Sequence, residues 1–191
     1  SVRELGEAVA YIREHAAEWK VDPAKIIVCG SSAAGHLACS LGVFWDNELV
    51  YDAIGRTPAQ IRPDGLILCY PVITGGEYAH VNSFKRLLGD DVTQEQRDAV
   101  SLENFVTEQT PRAFIWHTYT DENVPVENSL LLAAAMKRKN VNFELHIYPT
   151  GGHGLSLADE ETAGNGFQVV EQCQSWIPLV KMWLKHFEAS C

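Results

Sequence analysis

Residues 26–38, IIVCGSSAAGHLA, change character at their middle. Residues 26–29 form a continuous apolar run, rich in β-branched side chains, that stops at Gly30, the pattern of a strand covered on both faces of a parallel sheet. From residue 33 to 44, Leu37, Leu41 and Phe44 recur at helical spacing behind a first turn of small residues. A strand that enters a helix across about one residue makes a sharp turn, strained at its apex, and only small neighbours let the two elements approach. Gly30 stands two before Ser32, Ala34 two after it and Gly35 three after it, so Ser32 is expected at the apex. The spacing approximates the GxSxG elbow, which lifts a serine hydroxyl clear of the backbone at the carboxyl edge of a sheet and near a helix N-terminus. Ala34 replaces its second glycine. An ordinary strand-to-helix connection in which Ser31 or Ser32 caps the helix has the same local composition, so the rest of the chain must discriminate.

The chain has 191 residues, enough for one domain with a substantial core. With 46% hydrophobic and 21% charged residues it is globular in composition, and its net charge of -10 sets it against nucleic acid as a partner. Lys137, Arg138 and Lys139 read as cations at a helix C-terminus rather than a binding patch. Five cysteines are an odd number; Cys29, Cys39 and Cys69 fall in apolar stretches and are expected to be small hydrophobes in a reducing compartment, without a disulfide framework. No apolar run has transmembrane length, and the first residues lack a basic-then-apolar leader pattern, so a soluble, cytoplasmic protein with no membrane partner is expected.

Outward from the central stretch, Leu5, Val9, Ile12 and Trp19 predict a helix over 2–19, turned into the first strand by Asp22-Pro23. Three further strands are predicted at 65–72 (GLILCYPV), 113–120 (AFIWHTYT) and 142–149 (NFELHIYP), with helices at 95–101, 126–139 and 167–188. Strands alternating with helices indicate a parallel α/β sheet. Residues 45–64 and 73–93 are expected to be irregular excursions above it.

A serine hydroxyl is a poor nucleophile near neutral pH; it needs a base, usually histidine, itself oriented by a carboxylate. In HTYTDENVP, Asp121 falls just beyond the end of a strand, and in YPTGGHGLS, His153 follows another strand in a glycine-rich loop. Parallel strands share a carboxyl end, which puts both at the same edge as Ser32. Their order, Ser, Asp, His, is that of α/β-hydrolases. The other histidines compete poorly: His117 and His146 lie inside strands as core or sheet-face residues, His15 and His186 on terminal helices, His36 on the elbow helix, and His80 in a solvated excursion. There is no HExxH, no paired CxxC and no close His/Asp cluster, so neither a metal nor another cofactor is expected.

The segments DPAKIIVCGSSAAGHLA, RPDGLILCYPVIT, TPRAFIWHTYTDENVPVENSLLLAAAMKRKNV and FELHIYPTGGHGLSLA resemble the serine esterases of the α/β-hydrolase class, particularly an acetyl-xylan-esterase-like branch acting on sugar esters. The resemblance runs from about residue 5 to the C-terminal helix. It implies Ser32 as nucleophile, Asp121 as the acid of DxxVP and His153 as the base of GGHG, with the backbone N–H of Ala33 in the oxyanion hole. It further implies a carboxylic ester hydrolase working through an acyl-enzyme on small-molecule esters, with short-chain acyl esters, acetylated carbohydrates among them, as the expected substrates. Tyr70, Val72, Ile73 and Thr74, after the second strand, together with Asn123 and Val124, are the expected pocket walls. In the family, further N-terminal strands and an HGG loop precede the nucleophile strand, so the fold expected here lacks its N-terminal strands. The open sheet edge calls for an upstream segment or a second copy, as a homo-oligomer, to cover it. A serine peptidase of the same fold and a non-catalytic binding module are the alternative readings.

Overall fold

The computed structural model describes residues 1–164 and 168–188. Four strands, β1 (Ile27–Ser31), β2 (Gly65–Cys69), β3 (Arg112–Thr118) and β4 (Phe143–Tyr148), lie side by side in chain order, and every neighbouring pair is parallel. The helices are α1 (Val2–Glu14), α2 (Ala16–Trp19), α3 (Ser32–Phe44), α4 (Glu48–Tyr51), α5 (Pro58–Ile61), α6 (Val81–Leu88), α7 (Gln94–Asp98), α8 (Glu127–Arg138) and α9 (Trp176–Glu188).

Helices cover both faces of the central strands, and this is why β3 shows no polar alternation. On one face Leu68 and Ile115 pack with Leu41 of α3 and Leu132 and Met136 of α8. On the other, Phe114 and Trp116 pack with Trp176, Val180 and Trp183 of α9. The rings of Trp116 and Trp176 stack at 5.4 Å. Each such fully buried side chain contributes about 1.5–3 kcal/mol of transfer free energy.

Ahead of the sheet, Arg13 anchors α1. Its guanidinium donates to the carbonyls of Pro23 (2.9 Å), Gln60 (2.6 Å) and Arg62 (3.0 Å) and pairs with Asp64 at 2.9 Å. The same Asp64 oxygen accepts the N–H of Ile26 at 2.8 Å. One guanidinium thus sets where β1 begins, and the turn at Ser32 follows from it.

Several elements differ from expectation. The helix over 2–19 divides at His15, which ends α1 at φ -95° and ψ 7°. The His15 backbone N–H still makes the helical bond to the Tyr11 carbonyl, and its ring Nδ1–H donates to the same carbonyl at 2.9 Å. The excursions at 45–64 and 73–93 are not irregular, since they contain α4, α5 and α6. In α6, Val81, Phe84 and Leu88 do stand at helical spacing, and Phe84 is its one buried anchor. The surrounding glycines and aspartates mask that short signal. Cys29 is exposed rather than packed, because its side of the edge strand β1 is left open, whereas Cys39 and Cys69 are buried. Of the helix expected over 167–188, residue 167 lies outside the described residues; a 3₁₀ turn over Glu171–Ser175 precedes α9.

The register aligns the carboxyl ends: Ser31 with Cys69, Cys69 with Trp116, and Thr118 with Tyr148. The segments leaving these ends carry Ser32, as the first residue of α3, and Tyr70, Asp121 and His153 in loops.

Candidate active site

β1 passes into α3 with no intervening residue, and Ser32 occupies the left-handed region at φ 54°. That conformation is uncommon for a residue with a side chain and is held only where the surroundings over-determine it. The surroundings here are tight. A Cβ on Gly30 would stand 2.2 Å from the Ala34 carbonyl oxygen, and one on Gly35 would stand 2.7 Å from Pro71 Cβ. The close approaches fall at residues 30 and 35, while Ala34 is exposed, so the missing glycine of the GxSxG pattern costs no contact.

The two serines part ways. Ser31 stands at the N-cap of α3, yet its side chain makes no capping hydrogen bond. Ser32 is instead turned toward His153: its Oγ lies 2.7 Å from Nε2. Ala33 belongs to the first turn of α3, where backbone N–H groups have no intrahelical partner and the helix dipole favours negative charge.

His153 sits in the loop after β4. The hydroxyls of Thr118 and Thr120 both donate to the Gly151 carbonyl (2.9 and 3.0 Å), and Thr120 accepts the Gly151 N–H at 2.9 Å. These bonds tie the β4 loop to the end of β3. Tyr70, itself at φ 38°, stands edge-on to the His153 ring at 5.2 Å, and its hydroxyl accepts the Ser156 N–H at 3.0 Å.

His153 Nδ1–H donates to Asp121 Oδ2 at 2.7 Å. The other carboxylate oxygen accepts the backbone N–H groups of Asn123 (3.0 Å) and Val124 (2.9 Å). Burial works to raise the Asp121 carboxyl, but hydrogen bonds from His117, His153 and Val124 and the charge of His153 outweigh it and hold the group well below the usual carboxylate range. The carboxylate is therefore ionised at neutral pH. Burial, followed by the charges of His153 and Arg86, pushes His80 below its ordinary value against the pull of Asp121, which brings His80 within electrostatic reach of the cluster.

The expected pocket walls separate into groups. Val72 and Ala33 border an apolar cavity of about 570 Å³ between α3 and α6. Asn123 borders a second cavity of about 340 Å³, together with His153, Glu122, Thr120 and Gln168. Tyr70 lies against His153 itself. Ile73, Thr74 and Val124 border neither cavity, because all three are turned inward. The side-chain oxygen of Asn128 accepts the N–H groups of Ile73 (2.8 Å) and Thr74 (3.0 Å), and Val124 packs with Val72 and Phe84. Among the described residues, no group of three or more His, Cys, Asp or Glu side chains could hold a metal ion. No helix among them is long and apolar enough to cross a membrane.

Sequence reasoning missed His117 and Asn128. His117 was indistinguishable from a packed strand histidine, although its spacing of four residues from Asp121 across a strand end was a usable signal. Asn128 had none, since the N–H groups its side-chain oxygen accepts, those of Ile73 and Thr74, lie more than fifty residues away in the chain.

A serine at a left-handed apex between a parallel strand and its helix, with histidine and aspartate delivered from later strand ends, is the arrangement of the α/β-hydrolase fold. Within that class the chain belongs to the BD-FAE family, whose model matches residues 1–136. It is 41% identical over 164 residues to endo-1,4-beta-xylanase B of Butyrivibrio fibrisolvens, an alignment that covers 84% of this chain and 25% of that protein. It is 29% identical over 161 residues to the acetylxylan esterase of Xylanibacter ruminicola, covering 82% of this chain and 31% of that one. Among solved structures it resembles the acetyl ester-xyloside bifunctional hydrolase from Caldicellulosiruptor lactoaceticus, with a TM-score of 0.75 and 38% identity over 94% of this chain and 65% of that chain. The chain thus spans only part of the length of each.

Proposed function

We propose that the protein is a serine esterase that hydrolyses short acyl esters of carbohydrates through an acyl-enzyme. The observation that carries this reading is the unbroken chain of hydrogen bonds from Ser32 to His153 and from His153 to Asp121, each 2.7 Å long. Ser32 Oγ attacks the ester carbonyl as His153 Nε2 takes its proton. Asp121 holds the ring in the tautomer that leaves Nε2 free to accept and stabilises the cation that forms. The tetrahedral oxyanion develops beside the first turn of α3, where the Ala33 N–H can donate to it. One such donor is worth about 10²- to 10³-fold in turnover. Collapse of the intermediate expels the alcohol, which takes the proton from Nε2. Water then attacks the acyl-enzyme with His153 again acting as base, and Ser32 is released. These steps call for no cofactor.

The alcohol must leave next to His153, and the cavity there is lined by the polar side chains of Thr120, Glu122, Asn123 and Gln168. Such a lining suits a hydroxyl-rich leaving group. The names of the xylan-related relatives support the same substrate class. The test is hydrolysis of p-nitrophenyl acetate and of acetylated xylo-oligosaccharides, compared with a chromogenic dipeptide amide. Ester cleavage that disappears in Ser32→Ala, with little amide cleavage, is the expected result. Turnover of the amide at a comparable rate would favour a peptidase, and no Ser32-dependent turnover of either would favour a binding module.

A further inference from the structure

The Asp121 carboxylate has a contact that the proposed reaction does not use. His117, the penultimate residue of β3 before the loop to Asp121, is completely buried, at 0% exposure. Its Nε2 lies 2.9 Å from the Val124 carbonyl oxygen and 3.3 Å from Asp121 Oδ2, the same oxygen that accepts from His153. Both groups facing Nε2 are acceptors, so Nε2 carries a proton; the Val124 carbonyl takes the shorter bond and Asp121 Oδ2 is the longer, charged contact. On the far side of the ring, Nδ1 lies 2.8 Å from the hydroxyl of Ser129, which is also completely buried. In the neutral ring Nδ1 accepts from that hydroxyl, so the ring is clamped at both nitrogens, between α8 and the loop that carries the acid.

We infer that His117 is a positioning residue for the acid: its Nε2–H completes the hydrogen bonding of Asp121 and fixes the plane in which the carboxylate meets His153. This inference rests on the reading of Ser32, His153 and Asp121 as the catalytic triad. With His117 in place, Asp121 Oδ1 accepts two backbone N–H groups, and Oδ2 accepts the His153 Nδ1–H with His117 Nε2 as a second, longer contact at 3.3 Å, so donor groups face both oxygens of the carboxylate. Backbone amides alone fix one oxygen and leave the carboxylate free to pivot about it. The second donor on Oδ2 removes that freedom and draws electron density away from the oxygen that faces His153. A carboxylate relieved of that donor is more basic and stabilises protonated His153 more strongly, so the ring gives up its proton only at higher pH.

Other groups also act on the pair. His80, at the start of α6, lies within electrostatic reach of both His153 and Asp121, and Arg86 acts on His80. The Tyr70 ring packs against His153, and Glu122 lines the cavity beside it. None of these touches Asp121 Oδ2, so a change confined to His117 is separable from them.

The test compares His117→Phe, His117→Gln and Ser129→Ala in p-nitrophenyl acetate hydrolysis across pH. Glutamine can place an amide N–H near the position of Nε2, whereas phenylalanine fills the space with no donor. His117→Phe is expected to lower kcat by about ten- to a hundredfold, with KM little changed, and to move the acid limb of kcat/KM to higher pH by about half a unit to one unit. His117→Gln should recover most of kcat and return the limb toward its original position. Ser129→Ala leaves the ring in place but unclamped; it should lower kcat and move the limb in the same direction, and it carries the test if His117→Phe does not fold. A packing role alone predicts altered melting temperatures with the pH profile unmoved and glutamine no better than phenylalanine; that outcome overturns the inference. Fluorophosphonate labelling of Ser32 reports separately on the triad. A wild-type protein that labels and turns over at Ser32 while the variants keep its pH profile refutes the role of His117 alone, and a wild type that does neither refutes both.

Discussion

Asp121→Asn isolates the acid of the site with a change of one atom. Asp121 accepts from two backbone N–H groups on Oδ1 and from His153 on Oδ2. Asparagine can place its oxygen in only one of these positions. The amides of Asn123 and Val124 cannot change from donor to acceptor, so the carboxamide oxygen must face them and its NH₂ must face His153. The imidazole can accommodate this only by turning Nδ1 into an acceptor, which moves its proton to Nε2, against Ser32. The base then points a proton at the nucleophile it should deprotonate. A wrong tautomer at this position costs about 10⁴-fold in kcat, equivalent to about 5 kcal/mol of barrier. Stability should suffer much less, because the backbone amides keep their acceptor and the His117 Nε2–H keeps the Val124 carbonyl; loss of the charge-assisted contacts at Oδ2 costs about 1.5–3 kcal/mol. The assay is p-nitrophenyl acetate turnover at the pH plateau, with thermal unfolding as a control and ¹⁵N shifts of His153 to read its tautomer. A folded Asp121→Asn protein within tenfold of wild-type kcat, or one that keeps the proton on Nδ1, would refute this account of the acid.

Gly35→Ala should destabilise the protein by about 1–2 kcal/mol, net of the helix preference for alanine. Its Cβ would stand 2.9 Å from the backbone Cα of Pro71, so α3 must move away from that segment, and urea unfolding would detect the loss. Ala34→Gly restores the GxSxG pattern but removes an exposed helical methyl; it should cost about 0.5–1 kcal/mol and leave kcat/KM unchanged in ester assays. Acid should weaken the fold through Asp121. Its folded carboxyl titrates below its ordinary value of 3.8, so the unfolded chain binds the proton first. The stabilisation is complete above about pH 5 and is lost as pH falls toward the folded value. Urea midpoints measured from pH 6 to pH 3 should fall less steeply in Asp121→Asn than in the wild type.

What the sequence discloses here tracks how local each cause is. The stretch AFIWHTYT reads as a strand because nothing polar interrupts it before His117, and the observed register places Asp121 and His153 at one edge with Ser32. The elbow is legible because Gly30 and Gly35 answer to contacts within a few residues and at the neighbouring Pro71. Ile73, Thr74 and Val124 lie just beyond strand ends, where walls are expected, yet they turn inward. The cause for the first two is Asn128, whose amide takes both of their N–H groups from α8. No periodicity reports a bond of that kind. His117 illustrates the same limit from inside a strand: an apolar neighbourhood predicts burial, and it is buried, but its contact with Asp121 appears only when the chain has turned back on itself. α6 escaped because one anchor, Phe84, fixes it among glycines and aspartates.

The central claim is that Ser32, and not its neighbour Ser31, is the nucleophile. The most direct measurement is reaction of the folded protein with a fluorophosphonate, followed by peptide mass spectrometry to locate the adduct. Ser32 is left-handed at the apex, with its hydroxyl 2.7 Å from His153 Nε2, so the adduct should fall on Ser32, persist in Ser31→Ala and vanish in both Ser32→Ala and His153→Ala. An adduct on Ser31, or labelling of Ser32 that survives the loss of His153 undiminished, would contradict the account.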